Sequence, residues 1–174
     1  MQRKDKLTIV INGRGGVGKD TLCDLAARHF RVRNMSTIMP VKDLAAQCGW
    51  NGEKSDRARR FLSDLKAVLV AYNDYPTTWA MGQYNEFLAS DQEIMFMHIR
   101  EGAEIEKFVR ATGGRAKTLL IRRAAVHREA YGNVSDDLAE QYEYDYVYDN
   151  DLPLEQAEAH FVAFLREILE DITE

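Results

Sequence analysis

Apolar residues along the chain fall into two kinds of pattern: short continuous runs, and runs spaced three or four positions apart. Continuous runs rich in β-branched residues predict strands, and the wider spacing predicts helices with one apolar face. The predicted strands are residues 7–12, 37–39, 94–99, 116–121 and 144–148. The predicted helices are residues 19–30, 41–48, 58–72, 76–89, 101–110 and 153–172.

The order of these elements predicts the fold class. Strands separated by helices form parallel sheets that are covered by helices on both faces. Residues 94–99 are apolar almost without a break, as expected for a strand buried on both faces. Pro40 is expected to stop the second strand. We therefore expect one α/β domain over residues 1–174, with a five-stranded parallel sheet and ligands at the carboxyl ends of the strands.

Length and composition agree with a single domain. The chain has 174 residues, of which 45% are apolar, enough for one core. No run approaches the ~20 apolar residues of a membrane span, and no signal-peptide core is visible, so a soluble, cytoplasmic protein without a membrane partner is expected. Cys23 and Cys48 match neither a disulfide framework nor a metal site, and both are interpreted as core thiols.

Charge is distributed unevenly along the chain. The net charge of −5 argues against nucleic acid as a partner. Residues 100–128 contain eight Lys or Arg and three acids, whereas residues 133–174 contain thirteen acids and one arginine. The basic segment is suited to binding phosphate, and the acidic segment is interpreted mainly as a solvated helix face.

The strongest chemical signal follows the first predicted strand. It is the segment Gly13-Arg14-Gly15-Gly16-Val17-Gly18-Lys19-Asp20-Thr21. Glycines at these spacings let backbone N–H groups surround a phosphate at the start of a helix, whose dipole also favours an anion. Lys19 would bridge the β- and γ-phosphates of a nucleotide. The segment predicts a P-loop that binds ATP, with Lys19 as the first catalytic candidate.

Two other interpretations of this segment stay open. The same glycines satisfy the dinucleotide-binding pattern G-x-G-x-x-G. Lys19 directly after the last glycine argues against that pattern, as does the lack of an acid about 20 residues further on. The remaining alternative is a glycine-rich turn without a ligand.

One position departs from the usual P-loop. Asp20 stands where a Ser or Thr hydroxyl ordinarily binds Mg²⁺. Its carboxylate still offers the hard oxygen that Mg²⁺ prefers, and Thr21 supplies a hydroxyl for the α-phosphate. Without a metal, Asp20 would repel the phosphates, so the motif predicts Mg²⁺ together with ATP as cofactors, with Asp20 as the metal ligand.

Phosphoryl transfer needs several cations at one cleft. Arg100 follows the third predicted strand and is a candidate for binding the acceptor phosphate, unless it pairs with Glu104 four positions later. The arginines after the fourth strand suit a lid over ATP near residues 122–135, with a solvated surface role as the alternative. They are Arg122, Arg123 and Arg128.

A further set of cations lies in the segment near residues 41–90, which is expected to bind the acceptor. A surface role is equally open for each of them. They are Lys42, Arg57 and Arg60.

The sequence Gly-Lys-Asp-Thr at 18–21 resembles the loop of phage-type deoxynucleoside monophosphate kinases, within the P-loop nucleoside monophosphate kinase superfamily. Short segments in the same order along the chain also resemble this family. They are residues 39–43, 98–104, 113–114, 122–123, 135–136 and 145–150. The resemblance implies a three-layer P-loop fold with a helical acceptor-binding insertion and a lid, and it implies that Arg100 and Glu104 contact the acceptor.

His98 departs from the family, which has an acid at the end of the third strand. An acid there would help to hold Mg²⁺ or to position the acceptor, so the substitution bears on activity or on the acceptor. A hydrogen-bonded histidine within the fold is the alternative to a catalytic one.

These observations favour an ATP-dependent phosphotransferase whose acceptor is a small phosphorylated molecule, a (deoxy)nucleoside monophosphate by resemblance. The acceptor alternatives are dephospho-coenzyme A, a phosphorylated isoprenoid precursor or a sugar. A nucleotide-binding regulatory protein is an alternative of another class. A monomer or homodimer is expected.

Overall fold

The computed structural model describes residues 6–125 and 138–173, and its elements alternate strand and helix in the predicted manner. The strands are β1 (Leu7–Asn12), β2 (Val32–Ser36), β3 (Ile94–His98), β4 (Lys117–Arg122) and β5 (Tyr146–Asp149). The helices are α1 (Lys19–Ala26), α2 (Met39–Gln47), α3 (Asp56–Asn73), α4 (Tyr75–Ala89), α5 (Gly102–Ala111) and α6 (Leu154–Asp171), with a short 3-10 helix at Ala139–Gln141.

The five strands form one parallel sheet in the order β2-β3-β1-β4-β5. This confirms the predicted fold class. β1 is central, with Ile11 opposite His98 of β3 and Leu119 of β4. The loop after β1 therefore leaves the sheet at its carboxyl edge, between the ends of β3 and β4, where parallel sheets bind ligands.

The core lies on both faces of the sheet because side chains alternate along the central strands. Ile9 and Phe96 pack on one face with Phe161 of α6. On the other face, Val10 packs with Phe87 of α4. The helices therefore form the two outer layers of a three-layer domain, with the sheet between them.

The second strand differs from the prediction, which placed it at residues 37–39. β2 is Val32–Ser36, a half-exposed segment at the edge of the sheet, and its polar composition hid it from an apolar pattern. Pro40 does not stop a strand but lies in the first turn of α2, where its missing N–H costs nothing. The first helix is also shorter than predicted, since α1 ends at Ala26.

Two expectations about burial are wrong. Cys23 is buried, but Cys48 is exposed at the end of α2. Helix α3 was expected to bury one apolar face, yet only its Ala58 is fully buried, and Val68 and Tyr72 are 63% and 86% exposed. No helix among the residues that the structure describes is long and apolar enough to cross a membrane.

Candidate phosphate-binding site

The loop between β1 and α1 contains three glycines with positive φ angles. Gly13, Gly16 and Gly18 have φ angles of +156°, +81° and +89°. Gly18 is the N-cap of α1 and makes no side-chain cap hydrogen bond, and the N-terminus of a helix favours an anion. The Lys19 ammonium donates to the carbonyls of Gly13 (2.7 Å) and Arg14 (3.3 Å), which holds it over the loop.

The ends of β4 and β5 pack against the loop. A Cβ at Gly13 would lie 2.5 Å from the Ile121 carbonyl oxygen, so the two backbones are in close contact. Asn150, directly after β5, donates from Nδ2 to the Val17 carbonyl (2.8 Å). A Cβ at Gly18 would lie 2.7 Å from the same Nδ2. Close approach of the β4 backbone therefore requires glycine at position 13, whereas at Gly18 the contact is with the end of a side chain and the positive φ angle is the stronger reason for glycine.

A buried amide ties the start of the loop to the neighbouring strand. Asn12 Nδ2 donates to the Arg100 carbonyl and to the Tyr144 hydroxyl, each at 2.9 Å. The Tyr144 hydroxyl donates to the Ala139 carbonyl at 2.6 Å, and burial raises its pKa to about 12, so it stays a donor. Sequence reasoning missed Asn12 and Tyr144. The only signal was an amide at the end of an otherwise apolar strand.

His98, at the end of β3, is hydrogen-bonded and neutral. Its Nε2 lies 2.7 Å from Asn34 Oδ1, which can only accept, so Nε2 carries the proton. The Cys23 sulfur lies 3.8 Å from the same nitrogen. Burial lowers the pKa of His98 to about 4, and the nearby Asp20 carboxylate only partly offsets this. The geometry agrees with the hydrogen-bonded alternative for His98.

Three of the candidate arginines, Arg100, Arg122 and Arg123, lie at the carboxyl ends of β3 and β4. Arg100 is exposed, two residues beyond β3. Arg122 ends β4 and makes a two-pronged pair with Asp149 of β5, at 2.8 and 3.1 Å, which raises its pKa. The lid near residues 122–135 stays a prediction. Arg123 is exposed, and Arg128 lies outside the described residues, as does most of residues 122–135.

The remaining candidate cations lie on three separate segments: the loop after β1, α2 and α3. Arg14 is largely buried and lies 3.7 Å from Glu140, beside the 3-10 helix. The acceptor-side candidates are exposed on α2 and α3, and their acceptor role stays a prediction. They are Lys42, Arg57 and Arg60.

Glu104 is buried in an ion pair that the sequence did not predict. Its partner is not Arg100 but Lys66 of α3, whose ammonium lies 3.0 Å from Glu104 Oε2 and 3.4 Å from Glu101 Oε1. Burial raises the pKa of Glu104, and Lys66 opposes this rise. The available indication of this pair was the position of Lys66, which lies one helical turn from both Leu62 and Leu69 and therefore on the apolar face of α3.

We expect Lys66→Met to lower the free energy of unfolding by about 2 kcal/mol at pH 7, because it leaves a buried carboxylate unpaired. The pKa of Glu104 is raised in the folded state, so the free energy of unfolding falls as the pH rises above 4.5, the ordinary pKa of a glutamate. The variant should therefore approach wild type as pH falls towards 4.5. Denaturant unfolding at several pH values measures this difference.

Two control variants separate this effect from a general loss of packing. Arg110→Met removes the exposed pair with Glu106 and should cost less than about 0.5 kcal/mol. Adding Glu104→Gln to Lys66→Met should restore most of the loss. A difference between Lys66→Met and wild type that does not change with pH would contradict the assignment.

No protein-family model and no curated protein matches the chain. Solved structures match it along almost its whole length. A gluconokinase from Sinorhizobium meliloti is 15% identical, covers 98% of this chain and 97% of its own, and has a TM-score of 0.52. A shikimate kinase from Aquifex aeolicus is 13% identical, with coverages of 92% and 97% and a TM-score of 0.50.

A third match is the tunicamycin resistance protein of Deinococcus radiodurans, 12% identical, with coverages of 92% and 95% and a TM-score of 0.58. At these identities the likeness establishes the fold alone. The chain shares the α/β fold of these three structures, which agrees with its five-stranded parallel sheet.

Proposed function

We propose that this chain is an ATP-dependent phosphotransferase that moves the γ-phosphate to a small phosphorylated acceptor. The observation that carries the proposal is the loop after β1. There the Lys19 ammonium donates to the Gly13 carbonyl at 2.7 Å, and the N-cap of α1 is a glycine, which makes no side-chain cap. The fold shared with solved P-loop kinases supports it.

The residues of the loop bind and orient the donor in this proposal. Backbone N–H groups of residues 13–21 hold the β-phosphate, and Lys19 neutralises charge on the transferred group. Arg100 has a planar guanidinium that suits two-pronged binding of the acceptor phosphate. Asp149 holds Arg122 and neutralises part of its charge, so Arg123 and Arg128 are the better lid candidates.

The donor groups near the loop fit Mg²⁺ bound together with ATP. Asp20 lies exposed in the first turn of α1, and Thr21 beside it exposes a hydroxyl. Mg²⁺ typically takes one or two carboxylates along with nucleotide phosphates and keeps several waters. Among the described residues no cluster of three or more His, Cys, Asp or Glu forms a metal site alone. When bound, the ion would neutralise phosphate charge, and Asp20 would hold it directly or through water.

ATP should bind at least about tenfold more tightly in Mg²⁺ than in EDTA, since the Asp20 carboxylate repels phosphates that lack a metal. Asp20→Asn should narrow this difference, mainly by strengthening metal-free binding. Isothermal titration calorimetry measures both affinities. Asp24→Asn, one turn further along α1 and also exposed, is the matched control and should behave as wild type. Equal affinities in Mg²⁺ and EDTA for the wild-type protein would contradict the role of Asp20.

For the acceptor, we propose a (deoxy)nucleoside monophosphate, on the resemblance of the loop and of the ordered segments after it. Dephospho-coenzyme A, a phosphorylated isoprenoid precursor and sugars remain alternatives. Gluconate and shikimate join them, because two structural neighbours are named as kinases of these compounds. The Lys66–Glu104 pair joins α3, in the proposed acceptor-binding segment, to α5.

ADP release from Mg·ATP across this panel of acceptors tests the proposal. One acceptor should support turnover well above the rate with ATP alone. If ATP binds and no acceptor supports turnover, the chain is better explained as a nucleotide-binding regulatory protein. If ATP does not bind, the proposal fails at the loop.

A further inference from the structure

We propose that Asn12 and Tyr144 are positioning residues that hold the phosphate loop and Arg100 at a fixed separation. The inference rests on the proposed phosphotransfer, in which the loop binds the donor and Arg100 binds the acceptor. The two residues act through the backbone segments that they join.

Asn12 stands where the two segments meet. It is the last residue of β1, is 1% exposed and directly precedes Gly13. β3 ends at His98, so Arg100 lies beyond the ladder of hydrogen bonds between β1 and β3. The Asn12 amide supplies the missing connection by donating to the Arg100 carbonyl at 2.9 Å. The main chain of Arg100 is thereby tied to the start of the loop.

Tyr144 fixes the orientation of the Asn12 amide. Its hydroxyl accepts the second N–H of Asn12 at 2.9 Å and donates to the Ala139 carbonyl at 2.6 Å. Both N–H groups of the amide are therefore used, and the hydroxyl both accepts and donates. Removing the hydroxyl leaves an N–H group and a carbonyl unpaired in a largely buried place, which favours reorientation of the amide.

Fixed separation matters because in-line transfer depends on geometry. Misplacement by about 1 Å of a group that orients a substrate can cost about a hundredfold in rate. Arg100 is exposed, and the hydrogen bond from Asn12 fixes the position of its main chain. The hydrogen bonds of Asn12 and Tyr144 thus connect three segments at the carboxyl ends of the strands: the start of the loop at Gly13, the main chain of Arg100, and the 3-10 helix at Ala139.

Tyr144→Phe tests the inference, because it removes the hydroxyl and keeps the ring. Amide hydrogen exchange of residues 99–104 is measured by mass spectrometry with and without Mg·ATP. In the wild-type protein, ATP at the loop should slow this exchange at least about fivefold through Asn12. In Tyr144→Phe, ATP should bind with nearly unchanged affinity, but the slowing should be lost. With the acceptor that supports turnover, kcat should fall about tenfold while KM for ATP hardly changes.

Tyr142→Phe is the matched control. The Tyr142 ring lies edge-on to that of Tyr144, with centroids 5.1 Å apart, and its hydroxyl interacts with Glu106 rather than with Asn12. This variant should match wild type in exchange and in turnover. Thermal unfolding of both variants shows whether either is merely destabilised.

The outcomes separate the inference from the proposed function. Loss of the ATP response in Tyr144→Phe alone supports the positioning role. Equal slowing in wild type and Tyr144→Phe overturns it, as does ATP binding to wild type without any effect on residues 99–104. In both of those cases nucleotide binding by the loop stands. Failure of ATP to bind wild type would instead refute the proposed function, and the inference with it.

Discussion

Replacing Lys19 with alanine is expected to lower kcat by about a thousandfold, the size of effect seen when a group that stabilises transition-state charge is removed. The ammonium is already held over the loop by the carbonyls of Gly13 and Arg14, so it needs little reorganisation to meet the phosphates. ATP affinity should fall by only about tenfold, since the loop N–H groups remain. Steady-state turnover and calorimetric binding measure the two effects separately.

Lys117→Ala is the matched control for this variant. Lys117 begins β4, at the amino end of the strand and therefore at the edge of the sheet away from the loop. The same substitution there should leave kcat within about twofold of wild type. Similar losses in both variants would show that the effect of Lys19→Ala is not specific to the loop.

Gly13→Ala is expected to be the most destabilising single substitution in the loop. The new Cβ would lie 2.5 Å from the Ile121 carbonyl oxygen and 2.9 Å from Val17 Cγ2, and Gly13 has a φ of +156°. A carbonyl oxygen in β4 cannot move without disturbing the central sheet. Backbone strain and overpacking together should cost about 4 kcal/mol. Thermal unfolding should show a fall in Tm of about 10 °C, with loss of ATP binding.

Gly16→Ala provides the comparison within the same loop. Its φ of +81° is also positive, but among the described residues no atom beyond Gly16 and its two chain neighbours lies within 4 Å of the added Cβ. The cost should be backbone strain alone, about 1 to 2 kcal/mol. If Gly16→Ala lowers Tm as much as Gly13→Ala, close packing against β4 is not what the first glycine provides.

The central sheet and the loop were predictable because both have local signals. β1 is a continuous apolar run, and the spacing of glycines before Lys19 constrains the turn that follows. β2 had no such signal. An edge strand has only one neighbouring strand, so its side chains are less buried and the polar sequence Val-Arg-Asn-Met-Ser is tolerated there. Pro40 was interpreted as the end of a strand, but it lies in the first turn of a helix.

The partners of the site residues could not be predicted from periodicity, because a pattern shows which face a residue occupies and not what it meets. Asn150 and Val17 lie 133 positions apart, and Asn12 and Tyr144 lie 132 apart. The lid role expected of Arg122 stays a prediction, but its pair with Asp149, the cross-strand neighbour, was not foreseen. Only the strand order brings these side chains together.

Helix α3 shows the same limit for packing. Its apolar spacing predicted a buried face, and the helix formed as expected, but the fold covers only part of that face. Where α3 meets α5, the contact includes an ion pair between Lys66 and Glu104. Helical spacing determined the secondary structure, whereas burial depended on a tertiary contact between residues 38 positions apart in sequence.

Mass spectrometry of the acceptor after incubation with Mg·ATP tests the central claim most directly, because ADP release alone does not distinguish transfer from hydrolysis. The account predicts that one acceptor of the panel gains a single phosphoryl group in step with ADP formation, and that Lys19→Ala nearly abolishes this product while Lys117→Ala does not. ADP formation without any phosphorylated acceptor, or equal product from Lys19→Ala, would contradict it.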